Sequence, residues 1–142
     1  LPAWAALREP LAPLGALDLV ATAAFVLLLI GETVADQQQW DFQQAKRRGE
    51  AVGPGFVTTG LFRCSRHPNF FCEQGQWWCF YLFSIAAGAG WLNLSLAGPV
   101  LLTLLFLGST RFTESISMRR YPAYRDYQRR TSRLIPWFPD RA

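Results

Sequence analysis

The stretch Leu11–Gly31, LAPLGALDLVATAAFVLLLIG, carries a single charge, Asp18. A helix needs about 17–25 predominantly apolar residues to cross the hydrocarbon core of a bilayer, so this segment sets the fold class. Two further blocks repeat the pattern. Phe70–Leu92 holds one charge, Glu73, near its start, and Leu94–Thr110 holds none. An all-α polytopic membrane bundle is expected, one domain over 1–142, with spans at approximately 12–36, 68–90 and 95–117. Buried helices of a soluble bundle would show a polar stripe along their whole length. These show polarity near one end only.

Leu11–Gly31 does not read as a secretory signal, because it lacks a basic start and is followed by Glu-Thr-Val-Ala-Asp rather than a small-residue cleavage site. The chain begins with Leu1 rather than Met, so it is expected to be the C-terminal part of a longer protein.

Charge sets the orientation. The connection from Asp41 to Arg66 holds five basic residues against Asp41 and Glu50, a net of +3, and the part from Arg111 onward holds eight arginines against three acids, a net of +5. The connection Ser84–Leu96 is uncharged. Lys and Arg concentrate on the cytoplasmic side, so the basic loop 41–66 and the tail 118–142 are expected in the cytosol, as an odd number of spans requires. The overall charge of +4 then follows from topology and gives no case for a nucleic-acid partner; membrane lipids are the expected surroundings. Trp40 and Trp91 stand where interfacial aromatics belong. Cys64, Cys72 and Cys79 have no C-x-x-C spacing and only one histidine for company, which makes them reduced packing residues rather than a metal site.

Local signals divide the rest. Ala16–Lys46 reads as one long helix broken by Gly49–Gly55, and Pro68 suits the first position of the second helix. The third runs from about Leu96 to Arg120, ended by Tyr121-Pro122, and Ala123–Thr131 reads as a short amphipathic surface helix. Pro136 and Pro139 close the chain in an extended tail.

Helical spacing then gathers polar groups. Glu32, Asp36, Gln39 and Gln43 form one stripe, Asn69, Glu73 and Gln76 a second, and Arg111, Glu114 and Ser115 a third. Because chain direction alternates, all three lie at the cytoplasmic end. Ionisable groups at membrane depth are costly and are functional by default; the structural alternative is that Arg111 pairs with Glu73 or Glu32. Around this mouth lie Arg63, Arg66, His67, Tyr121, Tyr124 and the tail arginines. Arginine forks fit phosphate and tyrosine faces can stack a purine, so a phosphorylated nucleotide is the implied ligand. No G-x-G-x-x-G or Walker loop is present, and His67 lacks the partners of a hydrolytic triad.

Four segments carry a resemblance: Glu32-x-x-x-Asp36, GLFRCSRHPNFFCEQGQWWCFYLF from Gly60, LLFLGSTRFTES from Leu104, and YPAYRDYQRRTSRLIPWFP from Tyr121. They look like the steroid 5α-reductase C-terminal family, nearest its branch labelled as a domain of unknown function. The resemblance runs from about Gly31 to Pro139. It implies NADPH-dependent reduction of a conjugated carbon–carbon double bond in a steroid-like or other lipid substrate. It also implies that Asp36, Asn69, Glu73, Arg111 and a tyrosine matching Tyr121 lie against the cofactor. Asn69 and Glu73 would orient the nicotinamide carboxamide, and Arg63, Arg66, Arg111 and tail arginines would hold its phosphates. The family draws its substrate cavity and proton donors largely from earlier helices. Cys72 departs from the pattern, replacing the usual glycine before the carboxylate. No catalytic residue is assigned, with Tyr81 the nearest candidate for a proton donor. The chain also resembles, more distantly, the isoprenylcysteine carboxyl methyltransferases, which use S-adenosylmethionine. A third reading is a non-catalytic membrane interaction module, which leaves the buried carboxylates without a purpose.

Overall fold

A computed structural model describes residues 13–138; the first residue of the span expected from 12, and Pro139, lie outside that range. Three long helices dominate: α1 (Ala16–Arg47), α2 (Pro68–Ala86) and α3 (Ala97–Arg120), followed by short α4 (Tyr124–Arg130). Single 3-10 turns at Gly60–Arg63 and Leu94–Leu96 precede α2 and α3. Among the described residues the only β-type pairing is an isolated parallel bridge between Ser65 and Ser132.

Each helix starts and stops where the local chemistry dictates. The Asp18 carboxylate accepts the Gly15 N–H at 2.9 Å in the first turn of α1, and Lys46 and Arg47 face the negative end of its dipole. Pro68 opens α2 at a position whose N–H would be orphaned anyway. Asn93 accepts the Ser95 N–H at 2.8 Å, capping the turn that leads into α3. Thr103 and Thr110 return their hydroxyls to carbonyls four residues earlier, so neither presents an unsatisfied donor to its surroundings.

The central helix is α2, packed on α1 along one side and on α3 along the other. Close approach to α1 depends on missing side chains. A Cβ on Gly31 would meet Cys72 Sγ at 2.9 Å, and one on Gly75 would meet Leu28 at 2.7 Å. Phe25 meets Phe80 edge-on at 5.3 Å beyond them. Against α3, Phe70 stacks on Phe106 at 4.3 Å, and Gln74 donates its amide to the Pro99 carbonyl at 2.9 Å.

These contacts set the register. Gly31 opposite Cys72 puts Ala35 level with the start of α2, so α1 overruns α2 by about 18 Å at 1.5 Å per residue. Phe106 opposite Phe70 leaves α3 overrunning it by about 18 Å on the same count. The two overhangs clasp the loop 48–67, α4 and the tail, forming a polar head at one end of the helices. Its core is Ala35, Val57 and Phe62, backed by Phe42 and Leu61.

Among the described residues, two helical segments are long and apolar enough to cross a membrane, Ala16–Arg47 and Leu94–Arg120. Only 6% of the apolar stretch of the first and 17% of that of the second is buried. Leu27, Leu104 and Leu105 are among many apolar side chains left bare, an exposure rare in water-soluble proteins. The third span expected from sequence is the helix α2, yet its 19 residues fall short of that measure. Asn69, Glu73, Gln74 and Gln76 all sit in its first half, where they dilute the apolar content.

Candidate functional site

The head is organised around one carboxylate. Glu114, on the α3 overhang, is almost fully buried, and it accepts from Arg66 Nε at 2.6 Å and Nη2 at 3.3 Å. His67 Nε2 lies 3.1 Å away, and Gln128 on α4 donates at 2.9 Å. An ionised carboxylate only accepts, so Nε2 carries the imidazole proton. Arg66 Nη1 meanwhile donates to the Gln128 carbonyl at 2.9 Å and to the Thr131 carbonyl.

The tail is pinned alongside. Arg66 N–H donates to Ser132 O at 2.8 Å, His67 N–H to Arg133 O at 3.2 Å and Trp137 N–H to Cys64 O at 2.9 Å. The Ser65 hydroxyl, wholly buried, donates to Leu134 O at 2.8 Å. Residues far apart in sequence thus fix the turn that launches α2.

Next to this network, the loop 48–67 folds onto the aromatic residues after α3. Phe56 touches Tyr121, Tyr124 and Tyr127 with ring centroids 4.9–5.6 Å apart. Lys46 Nζ donates to Gly55 O at 2.8 Å and to the Tyr121 hydroxyl at 2.6 Å. Gly55 has φ +91, and a Cβ there would enter the Tyr121 ring, so glycine is required. Burial pushes the Tyr124 phenol up to about 12, the Glu114 charge adding to the effect. Tyr127 is also raised, by burial first and Tyr124 second.

Between these two clusters opens a cavity of about 290 Å³. Gln39 and Gln43 from α1, Asn69 from α2, Thr113 and Ser117 from α3, and Tyr121 line it, with Phe56, Phe70 and His67 as its aromatic wall. Amides and hydroxyls converging beside the already engaged guanidinium of Arg66 suit a neutral amide-bearing group. A second hollow of about 440 Å³ on the other side of Phe56 and Tyr127 is bordered by Thr58 and Arg63.

The residues singled out in the sequence divide between three places. Asn69, His67 and Tyr121 line the cavity. Tyr124 contributes to its wall but is 5% exposed, a packing residue with little face to offer a purine. Arg66 borders the cavity too, but four of its five N–H donors are spent on Glu114, Gln128 and Thr131, so the phosphate role expected of it gives way to a structural one. Glu32, Asp36 and Glu73 lie one step further along the α1–α2 seam, where the charges of Glu32 and Asp36 reach Glu73 and Gln76 bonds to Glu32.

Arg111 is exposed and forms no ion pair among the described residues, with Glu73, Glu32 or any other acid. Arg63 is exposed at the second hollow. Tyr81 donates to Trp91 O at 2.5 Å at the opposite end of α2, away from the cavity. Sequence reasoning placed Glu114 on the polar face of α3 but missed its central position. The signal available was the pairing of Arg66-His67 with a lone acid late in an apolar helix.

Over residues 1–131 the sequence matches the family described as "Protein of unknown function (DUF1295)", which is linked to steroid 5α-reductase-like enzymes. It is 40% identical over 136 residues to a curated protein of Schizosaccharomyces pombe described as uncharacterized, an alignment covering 86% of this chain and 40% of that protein. The chain therefore spans well under half the length of the curated relative it matches. No solved structure matches it.

Proposed function

The chain belongs to this family, and on that premise we propose that it forms the cofactor-binding part of a membrane-embedded, NADPH-dependent reductase. The substrate class is a carbon–carbon double bond conjugated to a carbonyl in a steroid-like or other lipid molecule. The observation that carries the reading is the cavity of amides and hydroxyls at the mouth of lipid-exposed helices. At about 290 Å³ it sits at the lower edge of ligand-pocket sizes, enough to enclose one end of a dinucleotide.

Asn69, Gln39 and Gln43 can both donate to and accept from a carboxamide, and the Thr113, Ser117 and Tyr121 hydroxyls suit a ribose. Arg63 and Arg120, the latter 5.5 Å over the Tyr121 ring, would meet the phosphates outside. When bound, NADPH supplies a hydride. The protein's own contribution is to hold the carboxamide end in one orientation and to shield it from water behind Phe56 and Phe70. In this reading α2 also crosses the bilayer, as the third span, and the basic head faces the cytoplasm; a reporter fused after Ala142 should be active only there.

A second reading follows from the α1–α2 seam. Glu32, Asp36 and Glu73 stand together with no basic partner among the described residues, which suits the sulfonium of S-adenosylmethionine and a membrane methyltransferase. Calorimetric titration of the purified protein with both ligands separates the two. NADPH binding that weakens in Asn69→Ala supports the reductase; S-adenosylmethionine binding with no response to NADPH reverses the ranking.

A further inference from the structure

The tail has one feature that the cavity does not use. Residues 132–137 are tied by backbone hydrogen bonds to Cys64, Arg66 and His67, directly ahead of the first residue of α2. That places the segment at the depth where α2 leaves the head. A lone tail would bury its apolar residues inward, but Ile135, Trp137 and Phe138 are 66%, 71% and 85% exposed. Together with the end of α4 they border a cleft of about 490 Å³ whose other edge carries Arg129, Arg130 and Ser132. Arg66 forms part of its wall, with its guanidinium already engaged. Arg129 and Arg130 are exposed, and the one ion pair either makes among the described residues is the loose contact of Arg129 with Asp126 at 3.7 Å.

The cleft is therefore basic along one edge and aromatic and aliphatic along the other, at the level of the interface. That is the charge and polarity pattern of an anionic phospholipid in reverse. Arginine offers paired donors to phosphate, and Trp and Phe side chains favour the head-group region. We propose that this cleft seats an anionic phospholipid of the host bilayer, its phosphate on Arg129 and Arg130. Trp137 and Phe138 enter the interface beside its acyl chains. The inference rests on the membrane crossing of α1 and α3, not on the chemistry of the cavity. It gives the head a second attachment to the leaflet and a preference for its composition.

The test uses the full chain in nanodiscs of phosphatidylcholine, with increasing fractions of phosphatidylglycerol or phosphatidylcholine brominated near the head group. The difference in fluorescence between the wild type and Trp137→Phe isolates the share due to Trp137; the remaining tryptophans report insertion. Trp137 should be quenched at a lower fraction of brominated phosphatidylglycerol than of brominated phosphatidylcholine. Each arginine near an anionic surface favours it by about fivefold, so Arg129→Gln/Arg130→Gln should reduce that preference by more than about tenfold. Quenching of the other tryptophans should stay unchanged. Equal quenching by both lipids, a preference that survives the double substitution, or shielding of Trp137 by inorganic phosphate alone would overturn the proposal. Failure of either lipid to quench any tryptophan would instead remove the membrane premise, and the proposal with it.

Discussion

The two ends of this molecule are held together by different physics. Along the membrane-facing half, α1 and α2 meet where side chains are missing, at Gly31 and Gly75, while most of the α1 surface is left to the surroundings. In lipid there is little hydrophobic gain in bringing two apolar helices together, so close packing must supply the cohesion. In the head, the same helices are joined by a buried carboxylate serving Arg66, His67 and Gln128 at once. Such a network contributes little net energy if replaced whole, but its parts cannot be removed singly. The contrast teaches that the head defines geometry, and the membrane half provides the platform.

The sharpest way to break this comparison is to remove the carboxylate. Glu114→Ala leaves the Arg66 guanidinium buried and unpaired, a loss of about 3–5 kcal/mol. The melting temperature in detergent should fall steeply, and Arg66→Met in the same chain should recover part of it. If Glu114→Ala melts like the wild type, the network does not hold the head.

The membrane half should respond to volume rather than charge. Gly75→Val drives a branched side chain into Leu28, an overpacking cost of about 1–3 kcal/mol. The milder Gly31→Ala should be rescued by Cys72→Ala, since the sulfur is what the new methyl meets. A thermal-melting double-mutant cycle checks this, and additivity of the two changes would refute the close approach.

Asn69→Ala probes whether the cavity is distinct from the scaffold beside it. It removes one neutral hydrogen-bonding group, worth about 0.5–1.5 kcal/mol, so NADPH affinity should drop by a few- to about tenfold. Apo melting should hardly move. A large melting loss with unchanged affinity would return Asn69 to the scaffold.

A further effect is confined to alkaline pH. Tyr124 is held neutral in the fold, with its phenol near 12 against about 10 when unfolded. A folded-state value above the unfolded one stabilises fully below pH 10, and that contribution fades as pH rises from about 10 to 12. Stability of the wild type should therefore decline more steeply over that window than that of Tyr124→Phe, as followed by chemical denaturation at each pH.

Much of this was legible before any coordinates. The apolar blocks, Pro68 at a helix start and Tyr121-Pro122 at a helix end are local signals, and α1, α3 and α4 begin and end within a residue of where they point. The stripe Glu32–Asp36–Gln39–Gln43 and its counterpart on α2 follow from helical spacing alone, and Gln76 does reach Glu32 across the seam. Spacing does not give the rotation of a helix about its axis. Arg111 and Glu114 stand three residues apart, and a modest turn of α3 decides which of them is carried into the head and which is left exposed.

The sequence by itself determined a helical chain with lipid-exposed segments and a basic, aromatic end, because these depend on composition and on neighbours within a few residues. Only the tertiary structure decided that Glu114 rather than Arg111 is the hub, and that Arg66 is an internal staple. It also decided that Asn69 faces Gln39 and Gln43 across a cavity while Glu73 stays in the seam. Those outcomes depend on pairings between residues tens of positions apart, such as Arg66 with Thr131 and Lys46 with Tyr121. Such pairings are selected by which packing leaves the fewest buried polar groups unsatisfied, a condition on the whole fold that no local pattern contains.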